Sequence, residues 1–337
     1  MKTPIIPPCR QLPLLAVLLL LCLSTSCGGG RKSVLMPAKE KPIPEFNEDS
    51  AYAFVQRQVD FGPRVPGTAA HRSCGDFLAA RLEQYGAKVI EQEATVRAFD
   101  GKTLEMRNII GAYRPELTRR ILLAAHWDCR PWSDQEPLPE HRQEPVMGAN
   151  DGASGVGVLL EIARQIGACL TDSSRLPAVG VDIIFFDVED YGAPSWAADR
   201  EDSWCLGSQY WARHPHQTGY RAQWGILLDM VGAGNACFMR EYFSDHYAQS
   251  VVSRVWNCAE ALGYGAWFVN ARGGAVTDDH LYVNRLAGIP CIDIIDFDEQ
   301  RGGFFAQWHT RRDDMDQIDS RTLKAVGQTL TAIIFSE

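Results

Sequence analysis

The sequence predicts an α/β protein, a three-layer α/β/α sandwich around a mixed, mostly parallel central sheet. Three observations predict it. Several short runs are almost wholly Ile, Leu, Val and Phe, as in strands buried on both faces. Helical patterns fall between these runs, the alternation of a sheet covered by helices on both sides. Acids and histidines stand directly after several of the runs, where open α/β sheets place their binding crevices.

In order, a helical stretch from Ser50 to Asp60 is followed by the turn Phe61-Gly62-Pro63-Arg64-Val65-Pro66-Gly67 and a second helix reaching about Tyr85. Strands are expected at Lys88 to Ala94, Glu105 to Tyr113, Arg120 to Ala125, Val181 to Phe186, Trp224 to Leu228 and Pro290 to Ile295. Further helices are expected at Ala153 to Ile166, Gly207 to Arg213, Asp245 to Leu262 and Thr322 to Phe335.

The first residues stand outside this pattern. Lys2 and Arg10 precede an apolar run from Leu12 to Leu23, too short to span a bilayer but suited to a secretory signal. Leu23-Ser24-Thr25-Ser26-Cys27-Gly28 resembles a bacterial lipoprotein processing site, with Ser24 where such sites usually carry Leu; a plain cleavable signal is the alternative. The expected organisation is a lipoprotein-type signal over 1–26, a flexible tether over 27–49 and one catalytic domain over 50–337. Export to the bacterial periplasm or outer membrane follows, with lipid on Cys27 as the only membrane anchor.

Of the 337 residues, 33 Lys plus Arg face 42 Asp plus Glu, and a formal charge of -9 repels a phosphate backbone, which disfavours a nucleic-acid partner. Of the 10 cysteines, Cys9 and Cys22 would leave with the signal and Cys27 would carry the lipid. Cys74, Cys129, Cys169, Cys205, Cys237, Cys258 and Cys291 remain, an odd number with no Cys-x-x-Cys pair, so buried free thiols are the simplest reading of most.

Ala125 is followed by His126-Trp127-Asp128, Phe186 by Asp187-Val188-Glu189-Asp190, Leu228 by Asp229 and Ile295 by Asp296. Asn150-Asp151-Gly152 opens a helix, and Trp308-His309-Thr310 lies near the C-terminus. Any one alone is read more simply as a helix cap, a turn former or a hydrogen-bonded histidine. Together, His126, Asp151, Asp190, Asp229 and His309 form an imidazole and carboxylate set suited to Zn²⁺.

The order His126-x-Asp128, Asn150-Asp151, Glu189-Asp190, Asp229 and His309-Thr310 resembles the M28 metallopeptidase family from about Ser50 to the C-terminus. Trp308 before His309, Phe304 five residues ahead of it, Asp278-Asp279-His280, and Trp196 soon after the acidic pair are similar to that family's glutaminyl cyclase branch. The resemblance implies a zinc-exopeptidase-like fold and conversion of an N-terminal Gln of peptides or proteins to pyroglutamate with release of ammonia. It also implies one zinc on Asp151, Asp190 and His309, substrate walls at Trp196, Trp308 and Phe304, and a cis peptide after Asp151. Glu189 is then the proton carrier, with Asp229 and Asp278 as its relay. His126 and Asp128 support the site, although their residue types, like that of Asp229, also permit a second metal. Asp190 departs from the Glu-Glu pair of two-metal peptidases, and its shorter side chain moves the ligand oxygen by roughly one C–C bond. The alternative reaction on the same residues is an M28-type zinc aminopeptidase, in which Glu189 activates water. A peptide-binding module without turnover is a third reading, disfavoured by the intact Glu189 and ligand set.

Overall fold

In the computed structural model, which describes residues 42–198 and 202–337, the apolar runs of the sequence form the middle of one six-stranded sheet. In chain order the elements are α1 (Glu48–Val59), α2 (Ala69–Gln84), β1 (Lys88–Arg97), β2 (Thr103–Tyr113), β3 (Arg120–His126), α3 (Ala153–Cys169), β4 (Gly180–Phe186), α4 (Leu206–Arg213), β5 (Gly225–Asp229), β6 (Phe238–Arg240), α5 (Tyr242–Ala261), β7 (Phe268–Arg272), α6 (Asp279–Tyr282), β8 (Cys291–Ile295), β9 (Phe297–Asp298), β10 (Gly303–Phe304) and α7 (Ser320–Phe335). The large sheet runs in the order β1-β2-β4-β3-β5-β8. β4, β3, β5 and β8 are parallel neighbours, whereas β2 is antiparallel to both β1 and β4. The fold is therefore the expected mixed, mostly parallel α/β/α sandwich.

Alternation along the central strands divides the core in two. Ile121, Leu123, Ala125, Ile183, Phe185, Ile226 and Leu228 pack on one side against residues of α1, α2, α3, α5 and α7. Leu122, Ala124, Ile184, Phe186 and Leu227 face the other way, against Trp211 and Ala212 of α4, Tyr220 and Val283. With every residue of β3, β4, β5 and β8 buried, these strands read as continuous apolar runs. The edge strand β1 has no buried residue.

Capping sets several helix starts. Asn47 accepts from Ser50 N–H at the head of α1, and Thr68 accepts from His71 N–H at the head of α2. α5 begins at Tyr242 rather than at Asp245, because the Glu241 side chain accepts from the N–H groups of Phe243 at 2.9 Å and Ser244 at 2.6 Å. The pairs β6/β7 and β9/β10 were not anticipated from sequence; each strand has at most five residues, too few for a periodic signal.

All seven cysteines among the described residues are free thiols. Among the described residues no helix is long and apolar enough to cross a membrane. The expected signal, Cys27 and most of the tether lie outside the described residues.

Candidate active site

The parallel strands end on a common edge, and the loops leaving that edge bring the predicted residues together. His126 closes β3 and Asp229 closes β5, while Glu189 and Asp190 follow the end of β4. Asp151 stands two residues before α3, fixed by the Asp313 carboxylate, which accepts from Asn150 N–H at 2.8 Å and Asp151 N–H at 3.0 Å. The peptide after Asp151 is trans, as is every other peptide among the described residues, which corrects the expectation of a cis bond. Gly152 makes the turn instead, at φ +94°, and a Cβ there would lie 2.9 Å from the Asp128 carbonyl oxygen.

Ligand atoms of Asp151, Asp190 and His309 lie within 4.8 Å of one another, and all three residues are buried. His309 Nε2 is 3.2 Å from Asp190 Oδ1 and 3.6 Å from Asp151 Oδ2. Its other nitrogen, Nδ1, is 3.2 Å from Asp134 Oδ1, the outer-shell carboxylate that commonly orients a ligating imidazole. Arg130 holds Asp134 through two hydrogen bonds of 2.7 and 2.9 Å and donates to the Asp190 carbonyl at 3.0 Å. Asp128 fixes the acidic pair from below, its two oxygens accepting from Glu189 N–H at 3.1 Å and Asp190 N–H at 3.2 Å.

A second group shares Asp151. His126 Nε2 lies 2.9 Å from Asp151 Oδ1 and 3.2 Å from Asp229 Oδ1, and His126, Asp151 and Asp229 also fall within 4.8 Å. Burial, together with repulsion from Asp151, raises Asp190. Burial likewise pushes Asp229 up to about 7, against the hydrogen bond from His126. Burial alone would raise Asp151, but the hydrogen bond from His126 and the charges of His126, His309 and Arg130 outweigh it and lower it. A cation among these crowded acids relieves both their desolvation and their repulsion, so the donor set fits a zinc ion.

Beside the ligands opens a cavity of about 660 Å³. Glu189 lines it, raised well above the ordinary glutamate range by burial, with the charges of Asp190, Asp278 and Asp279 acting in the same direction and His126 opposing. Asp278 lines it too, at the N-cap of α6. Trp308 stacks on His309 with ring centroids 3.7 Å apart, and Phe304 packs on Trp308 at 4.4 Å.

Trp196 is not at this wall. It is 48% exposed, in a loop whose Ser195 N–H is tied to Asp134 at 2.9 Å, and Trp204 occupies the wall instead. The Trp204 ring lies 6.0 Å from His309 at an interplanar angle of 9°, with the Arg130 guanidinium 4.5 Å from its centre. The sequence analysis gives Trp204 no role. It missed Arg130, Asp134 and Asp313 altogether, because their partners lie far along the chain. Four residues at the site, Val188, Cys205, Met230 and His309, adopt φ between +50° and +57°, a strained conformation for side chains with a Cβ.

Residues 108–334 match the peptidase family M28 model, and the chain belongs to that family. Within it, the chain is similar to Bacteroides thetaiotaomicron glutaminyl cyclase bound to N-acetylhistamine. That crystal structure is 52% identical over 88% of this chain and 100% of the other, with a TM-score of 0.85. A Zn-dependent exopeptidase from Parabacteroides distasonis is 55% identical over 88% of this chain and 100% of the other, with a TM-score of 0.84. Aminopeptidase YwaD of Bacillus subtilis is 25% identical over 81% of this chain, which spans 54% of the aminopeptidase's length. Family membership and a zinc-dependent neighbour imply a metal ion at the site.

Proposed function

We propose that this protein is a zinc-dependent glutaminyl-peptide cyclotransferase, which converts the N-terminal Gln of peptides or proteins to pyroglutamate and releases ammonia. The observation that carries the reading is the aromatic wall against the ligand set: Trp308 stacked on His309, Phe304 behind it and Trp204 parallel to the same imidazole. Aromatic walls of this kind grip a substrate side chain and limit the water that reaches the ligand set. The solved glutaminyl cyclase at 52% identity supports it.

One zinc per chain, on Asp151, Asp190 and His309, would supply Lewis acidity that polarises the γ-carbonyl of the substrate Gln. The other steps belong to the chain's own residues. The walls hold the substrate's α-amine over the carbonyl carbon of its own side-chain amide, so that the attack is intramolecular and much of its entropy cost is already met. Glu189, which burial raises well above the ordinary glutamate range, takes a proton from the attacking amine and returns it to the departing ammonia. Asp229 and Asp278 stand behind it as the relay. His126 and Asp128 hold Asp151 and the acidic pair in position.

One observation favours a second reading, an M28-type aminopeptidase. The groups Asp151-Asp190-His309 and His126-Asp151-Asp229 share one carboxylate, as a bridged pair of metals requires. Two zinc atoms per chain would support it; one zinc supports the cyclase. Glu189→Gln tests the cyclase mechanism, with zinc retained and turnover reduced by about a hundredfold or more. Unchanged kinetics would remove Glu189 from the reaction.

The substrate partners are peptide or protein N-termini, and nucleic acid is not among the proposed partners. Export and a lipid at Cys27, placing the catalytic domain in the periplasm or at the outer membrane, complete the proposal. Precursor that keeps its size under globomycin would contradict the anchor.

A further inference from the structure

The cavity is larger than one glutaminyl residue needs. At about 660 Å³ it has the size of sites that take whole drug-sized ligands, roughly 300–1,000 Å³, which leaves room for the peptide beyond its first residue. Its charges are unevenly divided. Of the six acids that line it, Asp151 and Asp190 are placed on the metal, and Glu189, Asp229 and Asp278 in proton transfer; the sixth, Asp202, accepts from the Tyr282 hydroxyl at 3.0 Å. Against them stands Arg285, the single Lys or Arg among the described lining residues. Its guanidinium carbon lies 5.4 Å from the centre of the Phe243 ring, itself part of the cavity wall, and its Nε donates to the Tyr247 hydroxyl at 3.5 Å. Among the described residues no carboxylate pairs with Arg285, and its two Nη groups have no protein partner. A guanidinium resting on a ring, with its outer N–H groups open to the cavity, is a two-pronged donor suited to a carboxylate.

Position along the chain sets what this residue reaches. Asp278 is the N-cap of α6, and α6 runs directly into the helical turn Val283–Ala287 that carries Arg285. Arg285 stands seven residues after Asp278, a helical rise of at most about 10 Å. An extended peptide covers that distance in about three residues, at roughly 3.3–3.6 Å each. A substrate whose N-terminal residue lies at Glu189 and Asp278 therefore brings its second or third residue to the guanidinium. We propose that Arg285 forms a carboxylate subsite at the outer end of the cavity and sets a preference for peptides with a negative charge on the second or third residue. The charge comes from an acidic side chain there or, in a tripeptide, from the free C-terminus. The subsite names the substrate class of the proposed cyclase site and rests on that reading for its register. It acts by binding alone, the carboxylate replacing water on the Nη groups while the Phe243 ring keeps the guanidinium in place.

The test gives the full-length, zinc-loaded protein four peptides that differ in charge: Gln-Ala-Ala with a free C-terminus, its C-terminal amide, and the amides of Gln-Glu-Ala and Gln-Lys-Ala. Ammonia release gives kcat and KM, and calorimetry on Glu189→Gln gives the affinity of each peptide without turnover. KM for the Gln-Ala-Ala and Gln-Lys-Ala amides is expected to exceed that of the better carboxylate peptide by roughly three- to tenfold, with kcat little changed. The gap closes in about 1 M NaCl, where the charges are screened. Whichever carboxylate gives the lower KM, the free C-terminus or the Glu side chain, is the source the subsite reads. Arg285→Ala removes the ranking and Arg285→Glu turns it in favour of the Lys peptide, whereas loss of ring stacking alone would raise all four KM values together and leave their order intact. Equal KM values in the wild type, a wild-type preference for the Lys peptide, or an unchanged ranking in Arg285→Ala would overturn the proposal. A ranking of affinities without ammonia release would contradict the cyclase reading and leave the subsite standing; ammonia release without a ranking would do the reverse.

Discussion

Asp128 carries Glu189 on a carboxylate oxygen: Oδ1 accepts the Glu189 backbone N–H at 3.1 Å, while Oδ2 accepts that of Asp190 at 3.2 Å. One buried side chain thus sets both the proton carrier and the neighbouring metal ligand. Asp128→Asn keeps the shape but replaces one acceptor with an N–H₂ group facing an N–H. The substitution is expected to weaken zinc binding roughly 10- to 100-fold, read by competition with a chelator. Wild-type affinity in the variant would contradict this.

Trp204, rather than Trp196, is expected to grip the substrate. Trp204→Ala raises KM for a Gln peptide by roughly tenfold, the scale of about 1.4 kcal/mol of lost ring contact, whereas Trp196→Ala changes it little. Steady-state kinetics of both variants decide it, and the reverse order would return Trp196 to the wall.

Cys129 lies close to the ligands in sequence and in space, but its thiol is buried and donates to the Met147 carbonyl oxygen at 3.4 Å. Burial pushes it up to about 12, so it stays a protonated thiol at neutral pH. Cys129→Ser is expected to leave zinc content unchanged by elemental analysis, and a fall in bound zinc would assign it a ligand's role.

Acid stability should report on Glu241. Burial alone would raise its pKa, but the hydrogen bond and charge of His280, with the N–H groups of Phe243 and Val276, outweigh burial and hold it at about 2 against an ordinary 4.5. A depressed carboxyl stabilises the fold above its unfolded value, and that contribution is lost as pH falls through the folded value. Between about pH 4.5 and 2 the wild-type Tm is expected to fall more steeply than that of Glu241→Gln. The opposing titrations of the other buried acids are common to both proteins. Equal slopes would contradict the assignment.

The parallel core was legible because strands buried on both faces leave continuous apolar runs, and the ligand types follow those runs at fixed points. His126, the Glu189-Asp190 pair and Asp229 could therefore be found from strand ends, and Asp151 from the glycine-marked start of α3. The supports were not legible. Asp313 holds Asp151 from 162 residues away, and Arg130 reaches Asp190 across 60, distances over which a single sequence carries no pairing signal. Trp196 and Trp204 lie in one connecting segment, and which ring faces the cavity depends on tertiary ties such as Ser195 to Asp134. The trans turn at Asp151 differs from the resemblance because Gly152 reaches the required direction through its own φ.

The central claim is tested most directly by giving the zinc-loaded protein two matched short peptides, one beginning with Gln and one with Leu, and following mass and released ammonia. The account predicts that the Gln peptide loses one ammonia with every residue retained, and that the Leu peptide is unchanged. Release of free Leu, with the Gln peptide uncyclised, would contradict it and assign the site to an aminopeptidase.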